Sequence, residues 1–143
     1  MPVRTSEAVW HGDLPSGNGT MKVGDGVYEG SYSFPSRFEE GDGTNPEELV
    51  AAAHAGCYSM ALSHTMAMAG HRPTRVHTIA KVHLGPDPDG GFHIPKIELH
   101  TEAEVPGLDD AAFQGYAEDA KNGCPISKLY KGADIILDAK LVV

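Results

Sequence analysis

Residues 44–70, TNPEELVAAAHAGCYSMALSHTMAMAG, form the stretch that most limits what this chain can become. They read as one long helix with one of the chain's two cysteines at its middle. Asn45 suits the N-cap, Pro46 the first helical position, and Glu48 falls at N3. Glu47 and Glu48 put negative charge at the positive end of the helix dipole. Gly70 is placed to end the helix, and Arg72-Pro73 discourages continuation. Leu49, Val50, Ala53, Cys57, Met60, Ala61, His64 and Met68 recur at three- and four-residue steps, which predicts one shared face turned towards packed structure. From Ala51 to Gly56 almost no bulky side chain occurs, so another backbone is expected to cross closely there. Taken alone, Cys57 on such a helix has the more ordinary reading of an inert core cysteine.

Composition bounds the chemistry. A chain of 143 residues is expected to form one domain, residues 1–143, with enough length to bury a core. Its 41% hydrophobic and 22% charged residues are ordinary for a globular protein. A formal net charge of −9 argues against nucleic acid or an anionic membrane as partner. No apolar signal-peptide core opens the chain, and no run approaches the ~18 apolar residues of a membrane span. With two cysteines and no disulfide framework, a reducing cytoplasm is the expected compartment. There, a cysteine pair more often serves catalysis, redox exchange or metal binding than crosslinking.

The remaining chain predicts an α+β fold rather than a βαβ repeat. Residues 4–11, 20–23 and 27–34 read as a small antiparallel meander with a turn at Asp25-Gly26. Tyr28, Tyr32 and Phe34 share a face of its third strand, and residues 35–43 read as loop. After the long helix, residues 76–85 and 92–105 read as a hairpin, with Pro95 marking an edge or a bulge. Residues 108–122 read as a helix with Asp109 at its N-cap, Phe113, Tyr116, Ala117 and Ala120 as its apolar stripe, and Asn122-Gly123 as a left-handed end. A short helix over ISKLYK follows. Residues 133–143 alternate as a strand, with Ala133, Ile135, Leu137, Ala139, Leu141 and Val143 on one side and Asp134, Asp138 and Lys140 among those on the other.

Several residues are candidates for chemistry, each with a plainer alternative. Cys124, just before Pro125, would occupy the N-cap of the short helix, where thiolates are stabilised, or it simply fills a helix junction. Arg37 reads first as a surface arginine and Glu47 as a residue compensating the helix dipole. His54-x-x-Cys57 has metal-ligand spacing, but no further ligands accompany it, so no metal is expected. His64, on the predicted apolar face, reads as a satisfied core histidine. There is no GxGxxG, P-loop or GxSxG, and no cofactor is expected.

Together these segments resemble one family. TNPEELVAAAHAGCYSMAL is similar to the active-site helix of the OsmC/Ohr hydroperoxide-reducing proteins, NGCPISK to their second cysteine motif, and SRFEEGDGTNPEEL to the approach to the helix. The resemblance covers essentially the whole chain, including the 67 residues (124 − 57) between the cysteines. It implies a thiol-dependent peroxidase that reduces organic hydroperoxides, with hydrogen peroxide as a second oxidant, and so protects the cell from oxidative stress. It also implies an intertwined homodimer with two buried central helices. By matched position Cys57 is the peroxidatic cysteine, Cys124 the resolving one, and Arg37 and Glu47 the activating arginine and its carboxylate partner. The match is to the OsmC branch, with Arg4 as the fallback arginine. Phe38, Leu49, Met60 and Ile126 are expected around an alkyl substrate. An external dithiol, carried by a lipoyl protein, is the implied reductant.

Two other readings use the same residues. One is a dithiol–disulfide oxidoreductase or redox sensor without efficient peroxide turnover; the other is a metal- or ligand-binding dimer with an inert Cys57. Helix geometry adds a constraint: ten residues separate Glu47 from Cys57, roughly 15 Å along one axis. Two antiparallel copies crossing near residues 51–53 would bring Glu47 of one towards Cys57 of the other. Each active site is therefore expected to be shared between subunits, with Arg37 travelling with Glu47.

Overall fold

Alternating residues near the N-terminus build the expected antiparallel meander. In the computed structural model, which describes residues 1–142, β1 (Ser6–His11), β2 (Asn18–Val23) and β3 (Tyr28–Ser33) pair in that order. The call on Val143 lies outside the described residues. Trp10, Gly19 and Tyr32 stand opposite one another across the three strands, and the two rings close over the glycine with centroids 5.2 Å apart. A Cβ at Gly19 would sit 2.8 Å from the Trp10 ring and 2.9 Å from that of Tyr32, so this position requires glycine.

Phe34, expected in the strand, and the segment expected as loop instead begin a one-turn helix, α1 (Phe34–Phe38). Ser33 caps it: its Oγ accepts from the Ser36 N–H at 3.3 Å, and Ser36 Oγ accepts from the Ser33 N–H at 2.8 Å. This is a reciprocal capping box with serine where glutamate or glutamine is usual, and Pro35 fits its first turn. Ser36 Oγ also donates to Thr44 O at 2.7 Å, and Asn45 Nδ2 donates to Ser36 O at 3.0 Å. These bonds tie α1 to the start of α2 (Pro46–Met68). The chain divides into two compact units, Met1–Leu49 and Val50–Val143.

Both ends of α2 follow the local chemistry. Asn45 Oδ1 accepts from the Glu48 N–H at 2.8 Å. Gly70 takes φ +90°, the His71 N–H reaches Met66 O at 2.9 Å and the Gly70 N–H reaches Ala67 O at 3.0 Å, the paired bonds of a Schellman stop. The buried face, however, is not the predicted one. His54, Tyr58, Leu62 and Met66 are each fully buried, whereas Ala53 and His64 are exposed and Met60 and Met68 are each 75% exposed. Apolar residues occur all round α2, so spacing alone did not single out the stripe that the rest of the chain covers. Cys57 lies one residue off that stripe and is half-buried.

The second unit packs this stripe against a sheet and a helix. β4 (Arg75–Pro86) and β5 (Phe92–Glu104) form the expected hairpin, and β6 (Asp134–Val142) joins β5 in parallel. β5 is therefore central, not an edge. Pro95 is accommodated by a register shift in which Ile94 and Pro95 oppose Leu84 alone, just before β6 pairing starts at Lys96. Ile135, Leu137, Ala139 and Leu141 turn inward from β6, as predicted. α3 (Asp110–Gly123) is capped by Asp109, whose Oδ1 accepts from the Ala112 N–H at 2.8 Å. Gly123 does not take the left-handed conformation expected of it; the helix hands over to α4 (Pro125–Leu129) through Cys124, which serves as C-cap and N-cap at once.

Tyr58, Leu62 and Met66 of α2, Leu99 and Ala103 of β5, and Phe113, Ala117 and Ala120 of α3 form one core, with Cys124 buried in it. The Tyr58 hydroxyl donates to Ala117 O at 3.0 Å, tying α2 to α3. Among the described residues, no helix is long and apolar enough to cross a membrane. Leu62→Ala is expected to cost about 2–5 kcal/mol of stability. Urea unfolding checks this; a change under about 0.5 kcal/mol would contradict the burial assigned to Leu62.

Candidate active site

In the second unit the two thiols meet. Both cysteines are free, and Cys124 Sγ donates to Cys57 Sγ at 3.0 Å. α2 holds Cys57 on a rigid turn, and the α3–α4 junction holds Cys124, which is fully buried. Sequence reasoning placed Cys124 where the helix N-terminus would favour its thiolate. In the structure Cys124 makes no side-chain cap bond, and the first N–H of α4, that of Ile126, acts to lower the pKa of Cys57. Ile126 thus contributes its backbone as well as an apolar side chain packed on the core beside Cys57. A backbone donor has no signature in sequence.

Burial is the largest influence on the Cys57 thiol and pushes its pKa up. The hydrogen bond and charge of Cys124 push the same way, and the Ile126 N–H opposes them. The balance keeps Cys57 protonated above the ordinary thiol range. Only the thiolate is a useful nucleophile.

In the first unit a guanidinium is held by a carboxylate. Arg37 Nη2 donates to Glu47 Oε1 at 2.7 Å, and Nε donates to Oε1 and Oε2 at 3.1 and 3.2 Å. Glu47 is buried and the Arg37 side chain is 34% exposed. This forked pairing fixes the guanidinium plane as a lysine could not. The Arg37 guanidinium also lies 5.3 Å from the Phe38 ring centroid, and Phe38 packs on Phe34. Sequence reasoning put Arg37 in a loop; the Ser33–Ser36 box instead sets it on α1 facing the first turn of α2. Arg4 lies exposed before β1.

The expected substrate neighbours are distributed. Phe38 lies beneath Arg37, Leu49 is half-buried at the end of the first unit, and Ile126 is beside Cys57. Met60 lines an open groove with Ser63, His64 and Arg75. His64 is exposed rather than a core histidine; the histidine of the core is His54. Among the described residues, no group of three or more His, Cys, Asp or Glu could hold a metal ion.

The chain is similar to several known proteins. A family model described as OsmC-like protein matches residues 39–138. The chain is 47% identical over 139 residues to Peroxiredoxin OsmC of Escherichia coli (strain K12), covering 96% of each chain. It is 34% identical over 125 residues to organic hydroperoxide resistance protein OhrB of Bacillus subtilis (strain 168), covering 85% of this chain and 89% of that one. The crystal structure of an organic hydroperoxide resistance protein OsmC from Legionella pneumophila matches with a TM-score of 0.72 at 26% identity over 100% of both chains. An OsmC-like protein from Mycoplasma pneumoniae matches at 0.77 and 16% identity over 99% of both, which shows the shared fold.

Cys124→Ala removes both influences by which Cys124 raises the Cys57 pKa. The pH midpoint of Cys57 alkylation is therefore expected to fall. A midpoint that rises would contradict the roles given to burial and to the neighbouring thiol.

Proposed function

The chain belongs to the OsmC-like protein family, and from that membership we propose that it is a thiol-dependent peroxidase that reduces organic hydroperoxides in defence against oxidative stress. The observation that carries this reading is the pair of free thiols 3.0 Å apart. A Cys57 thiolate attacks the outer peroxide oxygen: an S–O bond forms, the O–O bond breaks, and the alkoxide leaves as the alcohol after taking a proton. Cys57 is left as a sulfenic acid. Cys124 then attacks the Cys57 sulfur, an S–S bond forms, and the hydroxyl leaves as water. With Cys124 already in contact, the second step needs no large movement and protects Cys57 from further oxidation. An external dithiol, for which we propose a lipoyl-bearing protein, returns both thiols.

Arg37 is the proposed activating charge and Glu47 its holder. A guanidinium brought beside a thiolate favours the anion. It therefore opposes the effect of burial. The same guanidinium can donate hydrogen bonds to the peroxide oxygens. Phe38, Leu49, Met60 and Ile126 are the proposed contacts for the alkyl group.

We read residues 1–143 as one domain of an intertwined cytoplasmic homodimer. The exposed face of α2, with Ala52, Ala53, Gly56, Met60 and Met68, supports this reading. Small residues there permit a close helix crossing, and the two methionines supply apolar area to cover. In that arrangement Arg37 and Glu47 of one subunit serve Cys57 of the other.

A dithiol–disulfide oxidoreductase or redox sensor would use the same thiol pair. Turnover separates the two: catalytic consumption of cumene hydroperoxide with dihydrolipoamide supports the peroxidase, and a single stoichiometric oxidation supports the alternative. Cys57→Ser is expected to abolish turnover, and Cys124→Ser to stop after one cycle with a dimedone adduct on Cys57. An adduct on Cys124 in Cys57→Ser would exchange the two roles. Arg37→Ala is expected to raise the alkylation midpoint of Cys57 towards or above about 8.5; a shift in Arg4→Ala alone would move the activating role to Arg4.

Mixed refolding tests the shared site. Inactive Cys57→Ser and Arg37→Ala chains, unfolded and refolded together, are expected to regain activity in heterodimers with one complete site. No recovery in a sample shown to contain heterodimers would assign Arg37 to the Cys57 of its own chain.

A further inference from the structure

His54 lies three residues before Cys57 on α2 and is fully buried. Its Nε2 shares a 2.7 Å hydrogen bond with Ser127 Oγ on α4, 73 residues away. Its ring stands edge-on to Tyr130, with centroids 5.4 Å apart and planes at 85°. Nδ1 is buried without a hydrogen-bond partner among the described residues. Burial lowers the pKa of the ring and keeps it neutral.

A helix of one turn does not hold its own position in water; packing must hold it. α4 is five residues long, and the side chain of its N-cap makes no capping bond to it. Yet α4 and its cap present both groups that act on Cys57: the Cys124 thiol at 3.0 Å and the Ile126 N–H. Ser127 is the next residue after Ile126. Tyr130 ends the turn, its N–H bonded to Ile126 O at 2.8 Å. His54 therefore contacts α4 through the side chain that follows the donor amide and through the residue that closes the turn.

An apolar side chain of similar size could fill this space without leaving a ring nitrogen unpaired. The nitrogen that is used goes to Ser127. We propose that His54 is a positioning residue: through Ser127 it fixes α4 so that Cys124 and the Ile126 amide face Cys57. This rests on the reading of Cys57 and Cys124 as a redox pair, not on the identity of the oxidant. Two consequences follow from the same contact. The effective concentration of Cys124 at Cys57 depends on His54, and so does the pH at which Cys57 becomes a thiolate.

The experiment is equilibration of the whole reduced protein with glutathione and glutathione disulfide. Two protein thiols give two electrons and two protons to glutathione disulfide, leaving one protein disulfide and two glutathione thiols; the equilibrium constant is the effective concentration of the pair. His54→Leu and Ser127→Ala are each expected to lower it about tenfold, the size of one lost hydrogen bond. The double variant should fall no further, because both substitutions remove the same bond. His54→Gln, which can reach Ser127 with its terminal amide, should recover most of the loss. The alkylation midpoint of Cys57 should fall in both single variants, because displacing α4 withdraws the Cys124 hydrogen bond and charge that raise it along with the smaller opposing effect of Ile126. Thermal midpoints measured alongside identify any variant that fails to fold, and Ser127→Ala, which removes one oxygen atom, then decides. An unchanged constant in folded Ser127→Ala, or losses that add in the double variant, would overturn the positioning role. Failure of the unsubstituted protein to form the disulfide would overturn the redox pair itself, and absence of peroxide turnover alone would leave this inference standing.

Discussion

Packing of Tyr58, Leu62 and Met66 into the core of the second unit fixes the rotation of α2, and the placement of the thiols depends on that rotation. Cys57 precedes Tyr58, so a fully seated tyrosine leaves the cysteine at the margin of the core, half-buried. Phe113, Ala117 and Ala120 of α3 pack on the same core, and Ala117 receives the Tyr58 hydroxyl. Because α3 ends at Cys124, the contacts that orient α2 also deliver the second thiol. The geometry of the pair is thus a by-product of ordinary apolar burial, on helices rather than loops, which gives the precision that chemistry at sulfur requires.

The two units hold different electrostatic features. Burial disfavours the charged form of Cys57, and the adjacent thiol adds to that effect. A single backbone amide works in the opposite direction. In the first unit a guanidinium is kept ordered by a buried carboxylate, so its charge is positioned without being left unpaired. A protonated thiol is slow to oxidise indiscriminately.

Much of the fold was legible because its signals are local. Asn45, Gly70 and Asp109 act as caps whose hydrogen bonds span three to five residues, and the alternation of β6 matches its burial. The cysteine motifs were legible by family resemblance, and the structure brings the two thiols into contact. The rest needed distant partners. The apolar residues of α2 surround the helix, so its buried stripe was decided by α3 and the sheet rather than by period. α1 was missed because its capping box uses Ser36 in place of a longer polar side chain. The Ile126 amide carries no side-chain mark, and His54 gained its meaning from Ser127, far along the chain. The parallel seat of β6 is likewise invisible in its own alternation, which reads the same for either direction.

That parallel seat imposes an order on assembly. A hairpin such as β4–β5 closes through neighbouring residues, but a parallel neighbour must wait for a crossover to be completed. Here the crossover consists of α3, Cys124 and α4. During synthesis, α2 and its cysteine emerge well before the segment that supplies the facing sulfur. For that interval Cys57 stands in the nascent chain without the thiol that it meets in the folded protein. The segment that carries the facing thiol is thus the same segment that must be in place before β6 can take its seat beside β5.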